Sequence, residues 1–487
     1  MKKLSIFMVL VMLVSLLAGC STKKEKSTPD SESSMVTTAE NEGGEEEAEE
    51  QPPAEEEVVE ETFDFGGMEV VVASPWATDL TPGSSRGNDM LIERIAEVEE
   101  KYNVKIIYKD CSDDQIGGNY FQLAVQGMLS GETLGDLIYC RTGDYVAWKD
   151  AGVLQDLNPY AHILNLDNTK KWSKLILDNT TEGNETYGLA TNPIPLYTFI
   201  TFNKRLFDEA GLDYPYAYIK NGQWDFNKIA EVAKKLTIDT DGDGTVDQYG
   251  LTAYSPASLG QSMIIANGGR MIDHEKGKPL FVADEPKTME ALNIFHQWYN
   301  VEKFVVPLQE GEWDSQVKLF ESGKVAMMAG SDWMLTRFNN NLEDEFGIVF
   351  FPQGPSSDGT YKSLIPKLSF YVLPVSTTKD KEKLLTVYAA LTEPYYDDPL
   401  EGYIEGIEER VHDEESLQTL IDYQKEENGG ELVFSPISNY ALDWSAPEDI
   451  RVSPTLFNRI VEGEAPSAVI EEKKAAIQQY LKDMFGE

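Results

Sequence analysis

The chain has 487 residues, 41% hydrophobic and 26% charged, and its 84 Asp and Glu against 41 Lys and Arg give a formal charge of −43. That length exceeds one hydrophobic core and suits two lobes, while the acidity argues against nucleic acid and anionic lipid surfaces as partners. Three cysteines are too few for a disulfide framework.

Lys2 and Lys3 precede an apolar run from Leu4 to Leu17, which ends in Leu17-Ala18-Gly19-Cys20. The run is shorter than the ~20 residues of a membrane span. Small residues followed by cysteine resemble a bacterial lipobox, so residues 1–20 read as a lipoprotein export signal. Cys20 would carry the acyl chain (palmitate) that holds the protein on the extracellular face of the cell membrane. Ser21 to Thr62 contains fifteen Asp or Glu, three Lys and no aromatic residue. Such a segment buries too little apolar surface to fold and reads as a disordered acidic tether. With +2 in the signal and −12 in the tether, −33 remains on the body from Phe63 to Glu487.

The body alternates strands and helices. Met68 to Ala73 reads as a strand, Asp89 to Tyr102 as a helix and Val104 to Tyr108 as a second strand, which predicts a right-handed parallel crossover. Phe121 to Leu129 reads as a helix, Asp136 to Cys140 as a strand and Tyr145 to Ala151 as a helix stopped by Gly152. Tyr197 to Asn203 reads as a strand crossing between lobes, followed by a helix from Lys204 to Ala210 closed by Gly211. Asp225 to Leu236, Lys287 to Tyr299, Trp313 to Glu321 and Lys379 to Thr392 read as further helices, and Ser369 to Pro374 as a strand. The very acidic stretch from Glu393 to Gly430 is expected to be a helical elaboration on the surface. Cys111 and Cys140 are compatible with pairing outside the cell and with two single buried thiols. His162, His274, His296 and His412 show no zinc spacing.

Three stretches in this order resemble a known family: Gly135-Asp136-Leu137-Ile138 with Gly152-Val153-Leu154, Thr201-Phe202-Asn203-Lys204-Arg205-Leu206-Phe207 with Ala210-Gly211-Leu212, and Phe320-Glu321-Ser322-Gly323-Lys324-Val325-Ala326-Met327-Met328 leading to Trp333. The chain resembles an extracellular solute-binding lipoprotein of a carbohydrate ABC importer, in the class that includes maltose-binding protein. The resemblance implies an α/β, two-lobed, periplasmic-binding-protein-like fold of type II with a hinge and a ligand cleft between the lobes. One lobe would span about 63–195 plus part of 352–440, the other about 203–350 plus part of the C-terminal region. It also implies a monomer that meets ABC permease subunits, and a carbohydrate as its small-molecule ligand.

Sugars present an apolar ring face and a rim of hydroxyls, so a sugar site needs aromatic platforms and planar polar groups. Trp333 stands where relatives carry a ligand-stacking tryptophan. Trp76 and Asp79 follow the first strand, at a carboxyl end where such folds meet ligands. Arg141 and Asp144 match a sugar-contacting loop in position but not in identity, and an Arg141–Asp144 surface pair is the alternative. Tyr197, Tyr254, Gln261, Tyr371 and Trp444 complete the candidates.

Asp239, Asp241, Asp243, Thr245 and Asp247 surround Gly242 and Gly244 in the spacing of an EF-hand-type loop, which suggests a structural calcium; position 12 is Gly250 rather than Glu. A metal-free Asp-Gly turn is the alternative. An exported glycoside hydrolase would also carry carboxylates and aromatics, but no catalytic motif is visible, and the chain reads as a non-enzyme. A peptide or other polar-solute binder, or a sensory lipoprotein, is the remaining alternative.

Overall fold

The computed structural model describes residues 63–273, 279–309, 314–425, 430–434 and 446–485. Cys20, the export segment, the acidic tether, His274 and Trp444 lie outside them. The architecture is carried by β1 (Met68–Ser74), β2 (Val104–Asp110), β3 (Leu137–Arg141), β4 (Phe199–Asn203), β5 (Tyr249–Ala253), β6 (Val325–Gly330), β7 (Phe346–Val349), β8 (Tyr361–Ile365), β9 (Ser369–Val372) and β10 (Gly430–Phe434). Among the described residues no helix is long and apolar enough to cross a membrane.

The first sheet has the order β9-β3-β1-β2. β1 and β2 run parallel from Met68↔Val104 to Ser74↔Asp110, joined by the helix Arg86–Tyr102. That helix starts three residues before the expected Asp89 because Ser85 caps it, accepting the Asn88 N–H at 3.2 Å. β3 is parallel to β1, and β9 returns antiparallel against β3. Both faces are covered, as the apolar run of β1 requires. Val70 and Val72 pack with Val98, Trp172 and Leu384, whereas Ala73 packs with Tyr120, Phe121 and Cys140. Cys111 and Cys140 are free and buried, and burial pushes both thiols above their usual range.

The second sheet has the order β7-β4-β6-β5, with β4 antiparallel to both neighbours and β5 parallel to β6. The helix Lys204–Ala210 stops at Gly211, whose φ of 63° suits glycine. The expected strand from Tyr197 begins at Phe199, because residues 194–198 form a crossing between lobes. Ile194 and Tyr197 pack against the first lobe, while Leu196 is buried in the core of the second. The Thr198 N–H donates to Ser363 Oγ at 3.1 Å and its hydroxyl to the Leu364 carbonyl at 3.3 Å. This ties the first crossing to β8, itself a crossing: Tyr361 packs on the second core and Ile365 belongs to the first. β10 pairs parallel with β8. A third crossing runs from Leu391, in the first lobe, to Ile407, in the second.

The acidic stretch after Glu393 is not a surface elaboration. It forms the helices Pro399–Glu408 and Glu414–Tyr423, and the second of these covers the edge strand β7. The Ile348 N–H donates to Ser416 Oγ at 2.7 Å, and the Phe351 N–H donates to the Tyr423 hydroxyl at 2.8 Å. Ser416, Thr419, Leu420 and Tyr423 form one buried stripe with i, i+3, i+4, i+7 spacing. The overall acidity hid this stripe, because the carboxylates sit on the opposite face.

Candidate functional site

The carboxyl edge of the first sheet gathers aromatic and charged groups. Trp76, two residues past β1, is 53% exposed and meets Tyr139 of β3 edge-to-face, with centroids 5.1 Å apart. Lys367 Nζ lies 5.6 Å from the Trp76 centroid. Arg141, at the end of β3, places its guanidinium 3.3 Å from the Phe121 centroid and is bonded to Asp144. Burial raises the Asp144 carboxyl, opposed by Arg141, and burial together with the Arg141 charge lowers the Lys367 ammonium.

In the second lobe, Tyr254 directly follows β5, and Trp333 sits on the first turn of the helix Asp332–Asn341, which follows β6. Since β5 and β6 are parallel neighbours, both rings emerge at one sheet edge. They meet edge-to-face at 5.9 Å and are 37% and 42% exposed. Trp333 also borders a cleft of about 680 Å³ with walls from both lobes: Met90, Lys171 and Asn192 on one side, Tyr403 and Arg410 on the other, and Tyr395 between. An ion pair between Arg86 and Glu405, 3.2 Å apart, bridges the two lobes.

The helix carrying Trp333 is fastened to the first crossing by the residue before the ring. The Asp332 N–H donates to the Leu196 carbonyl, and Asp332 Oδ2 accepts the Leu196 N–H, both at 3.0 Å. Burial raises the Asp332 carboxyl to about 6, against the lowering effects of the Leu196 N–H and of Arg410.

The expected site residues separate into groups. Trp76, Arg141 and Asp144 come together at the first edge, and Tyr254 and Trp333 at the second. The Arg141–Asp144 pair forms, with both side chains 16% exposed. Tyr197 lies in the first crossing, packed on the first lobe. Asp79 sits in an exposed turn, accepting from the Thr81 N–H and the Asn88 amide; the Thr81 N–H, then the Thr81 and Ser84 hydroxyls, hold its carboxyl low. Gln261 is buried within the helix Pro256–Ala266, and Tyr371 packs inside the first lobe between Tyr139 and Tyr388. Tyr139 and Lys367 were missed. Tyr139 had a signal, standing two residues before Arg141 and therefore on the same strand face. Lys367 had none, because it reaches the edge only through the antiparallel pairing of Ser369 with Arg141.

In the Asp-rich loop, carboxylate oxygens of Asp239, Asp241 and Asp247 lie within 4.8 Å of one another, a spacing that three ligands of one hard cation fit. All three side chains are exposed and already accept backbone N–H bonds, Asp239 from Gly242 and Gly244 and Asp247 from Thr240. Asp243 instead accepts the Thr245 N–H within its own turn.

No curated protein matches the sequence. Solved structures do resemble it in fold. An ABC substrate-binding protein from Listeria monocytogenes in complex with cycloalternan is 17% identical, with a TM-score of 0.58, covering 86% of this chain and 99% of its own. The maltose/maltodextrin-binding domain MalE from Bdellovibrio bacteriovorus bound to maltotriose is 15% identical, with a TM-score of 0.59 and coverages of 85% and 100%. UgpB from Mycobacterium tuberculosis in complex with glycerophosphocholine is 16% identical, with a TM-score of 0.60 and coverages of 86% and 100%. These likenesses agree with the two-lobed α/β architecture described above. The family model for bacterial extracellular solute-binding proteins matches residues 93–394, well over half of the sequence, and the chain belongs to that family.

Proposed function

We propose that the protein captures a sugar or oligosaccharide between its lobes, returns it chemically unchanged, and delivers it to the permease subunits of an ABC importer. The observation that carries this reading is the pair of aromatic edges: Trp76 with Tyr139 at the carboxyl ends of one sheet, and Trp333 with Tyr254 at those of the other. Flat rings suit the apolar face of a pyranose, while Arg141, Asp144 and Lys367 supply polar groups for its hydroxyl rim. The three crossings between lobes provide a hinge, so that closure would exclude water and couple binding to shape. Structural neighbours bound to cycloalternan and maltotriose support the carbohydrate class.

Isothermal titration against a glycan panel headed by maltotriose and mannotriose tests this reading, with a peptide pool and glycerophosphocholine as contrasting polar solutes. A saturable sugar signal, with the sugar recovered intact, is the expected result. Silence towards every glycan alongside a peptide response would overturn it.

The anchoring belongs to the same reading: a lipid on Cys20 and an acidic tether would hold a monomeric body at the extracellular face of the membrane. Mass spectrometry of the membrane fraction tests it, since an acylated N-terminus at Cys20 is expected. A structural calcium on the Asp239 loop is part of the reading too, supported by the spacing of its three carboxylates.

A further inference from the structure

Asp332 is an unusual residue on which to build a joint. Its backbone N–H and Oδ2 form a two-bond ring with Leu196, the fully buried residue of the second lobe that immediately precedes Tyr197, packed on the first. Its carbonyl accepts from Arg410 Nη1 at 3.4 Å, and Arg410 also donates through Nε to the Gly406 carbonyl at 2.9 Å, at the far end of the third crossing. Asp332 therefore touches the first crossing directly and the third through Arg410, and the next residue along the chain is Trp333.

An asparagine could make the same bond to Leu196 without the cost of burying a charge. The second carboxylate oxygen, Oδ1, is buried and has no hydrogen-bond partner among the described residues. A buried acceptor left unpaired costs free energy. A carboxylate kept at such a position makes physical sense if Oδ1 gains a partner in another arrangement of the lobes, and Arg410 is the cation already at the residue.

We propose that Asp332 is a positioning residue that couples the Trp333 platform to the angle between the lobes, with Oδ1 receiving the Arg410 guanidinium as the lobes close. The inference rests on the proposed sugar site at Trp333. The clamp to Leu196 keeps the start of the Trp333 helix fixed to the first crossing. The charge-assisted bond to Arg410 then draws in the third crossing, so that ring position and lobe angle change together.

The test uses the whole body with one fluorophore on each lobe, read by single-molecule energy transfer without ligand and then with maltotriose or mannotriose. Asp332→Asn and Arg410→Ala should each lower the closed-to-open ratio roughly fivefold. The double variant should lower it no further than Arg410→Ala alone, because that variant already lacks the bond to Oδ1, along with the bonds to the Asp332 and Gly406 carbonyls. Hydrogen exchange at the Leu196 amide should stay slow in Asp332→Asn, whose amide oxygen still accepts, and quicken in Asp332→Ala; this separates the proposed role from simple loss of structure. Unchanged ratios in the single variants, or additive effects in the double, would overturn the inference. Its failure is distinguishable from failure of the sugar reading: a wild-type protein that ignores every glycan defeats that reading, while the ligand-free ratios still decide the role of Asp332.

Discussion

The helix Glu414–Tyr423 offers the sharpest test of the fold, because the sequence reading and the structure predict different outcomes for one atom. Tyr423→Phe removes only the hydroxyl that accepts the Phe351 N–H at 2.8 Å, while keeping the ring that meets Phe350 edge-to-face at 4.7 Å. Tyr423 and Phe351 are each 1% exposed, so water cannot replace the lost acceptor. Leaving a buried N–H unpaired costs about 1–3 kcal/mol. A surface elaboration would give a change within about 0.5 kcal/mol.

Urea unfolding followed by far-ultraviolet circular dichroism provides the assay, with the midpoint compared at constant m so that only stability is read. Ser416→Ala should behave similarly, or cost somewhat more. Ser416 Oγ accepts the Ile348 N–H and also lies 2.8 Å from the Tyr216 hydroxyl, which Asp413 holds from its other side. If Tyr423→Phe unfolds at the wild-type midpoint with the wild-type m, the claim that this helix closes the sheet edge fails.

Trp333→Ala should abolish sugar binding measured by titration calorimetry while moving the melting temperature little, since the ring is 42% exposed; retained affinity would remove Trp333 from the site. Gly250→Ala should destabilise by about 1–3 kcal/mol or more, because its Cβ would stand 2.1 Å from the Ala233 carbonyl oxygen, and soluble yield with thermal melting reports this. Millimolar calcium should raise the melting temperature of the wild type but not of Asp239→Asn, and equal curves with and without calcium would favour the metal-free turn. Asp332 predicts a pH effect. Its carboxyl is raised from 3.8 to about 6, so the folded state binds its proton more tightly, and this stabilising contribution is present below pH 3.8 and lost as pH rises through about 6. The stability difference between Asp332→Asn and wild type should therefore grow in the variant's favour across that window, by up to about 3 kcal/mol, as read by urea midpoints at pH 4 and 7.

What was legible in the sequence was local. The strand starting at Met68 and the helix closed by Gly211 are written in short-range periodicity and stop signals, and they stand where expected. Their ends also locate the edges where ligands are met, which is why Trp76, Tyr254 and Trp333 fall at carboxyl ends of strands. What was not legible depends on pairing. Gln261 reads as a polar loop residue at the expected cleft, yet it lies within a helix that is buried along most of its length. Lys367 reaches Trp76 only because β9 runs antiparallel to β3, and nothing in its neighbourhood announces that register.

The same distinction explains why the platform could be found but its fastening could not. Trp333 is marked by a strand and a helix start within a few residues of it. Asp332 holds that helix through Leu196, 136 residues earlier, so its role follows only from the meeting of two distant segments. Hinge function belongs to this second kind of information, because a hinge consists of contacts between segments that cross from one lobe to the other. A solute-binding protein can therefore retain its ligand-facing rings while its opening and closing are retuned at positions such as the buried Asp332 and the half-buried Arg410. The buried Asp332 is the cleaner of the two, since Arg410 also lines the cleft; a variant at Asp332 should change affinity by shifting closure, which is the behaviour expected when closure, rather than contact alone, contributes to binding.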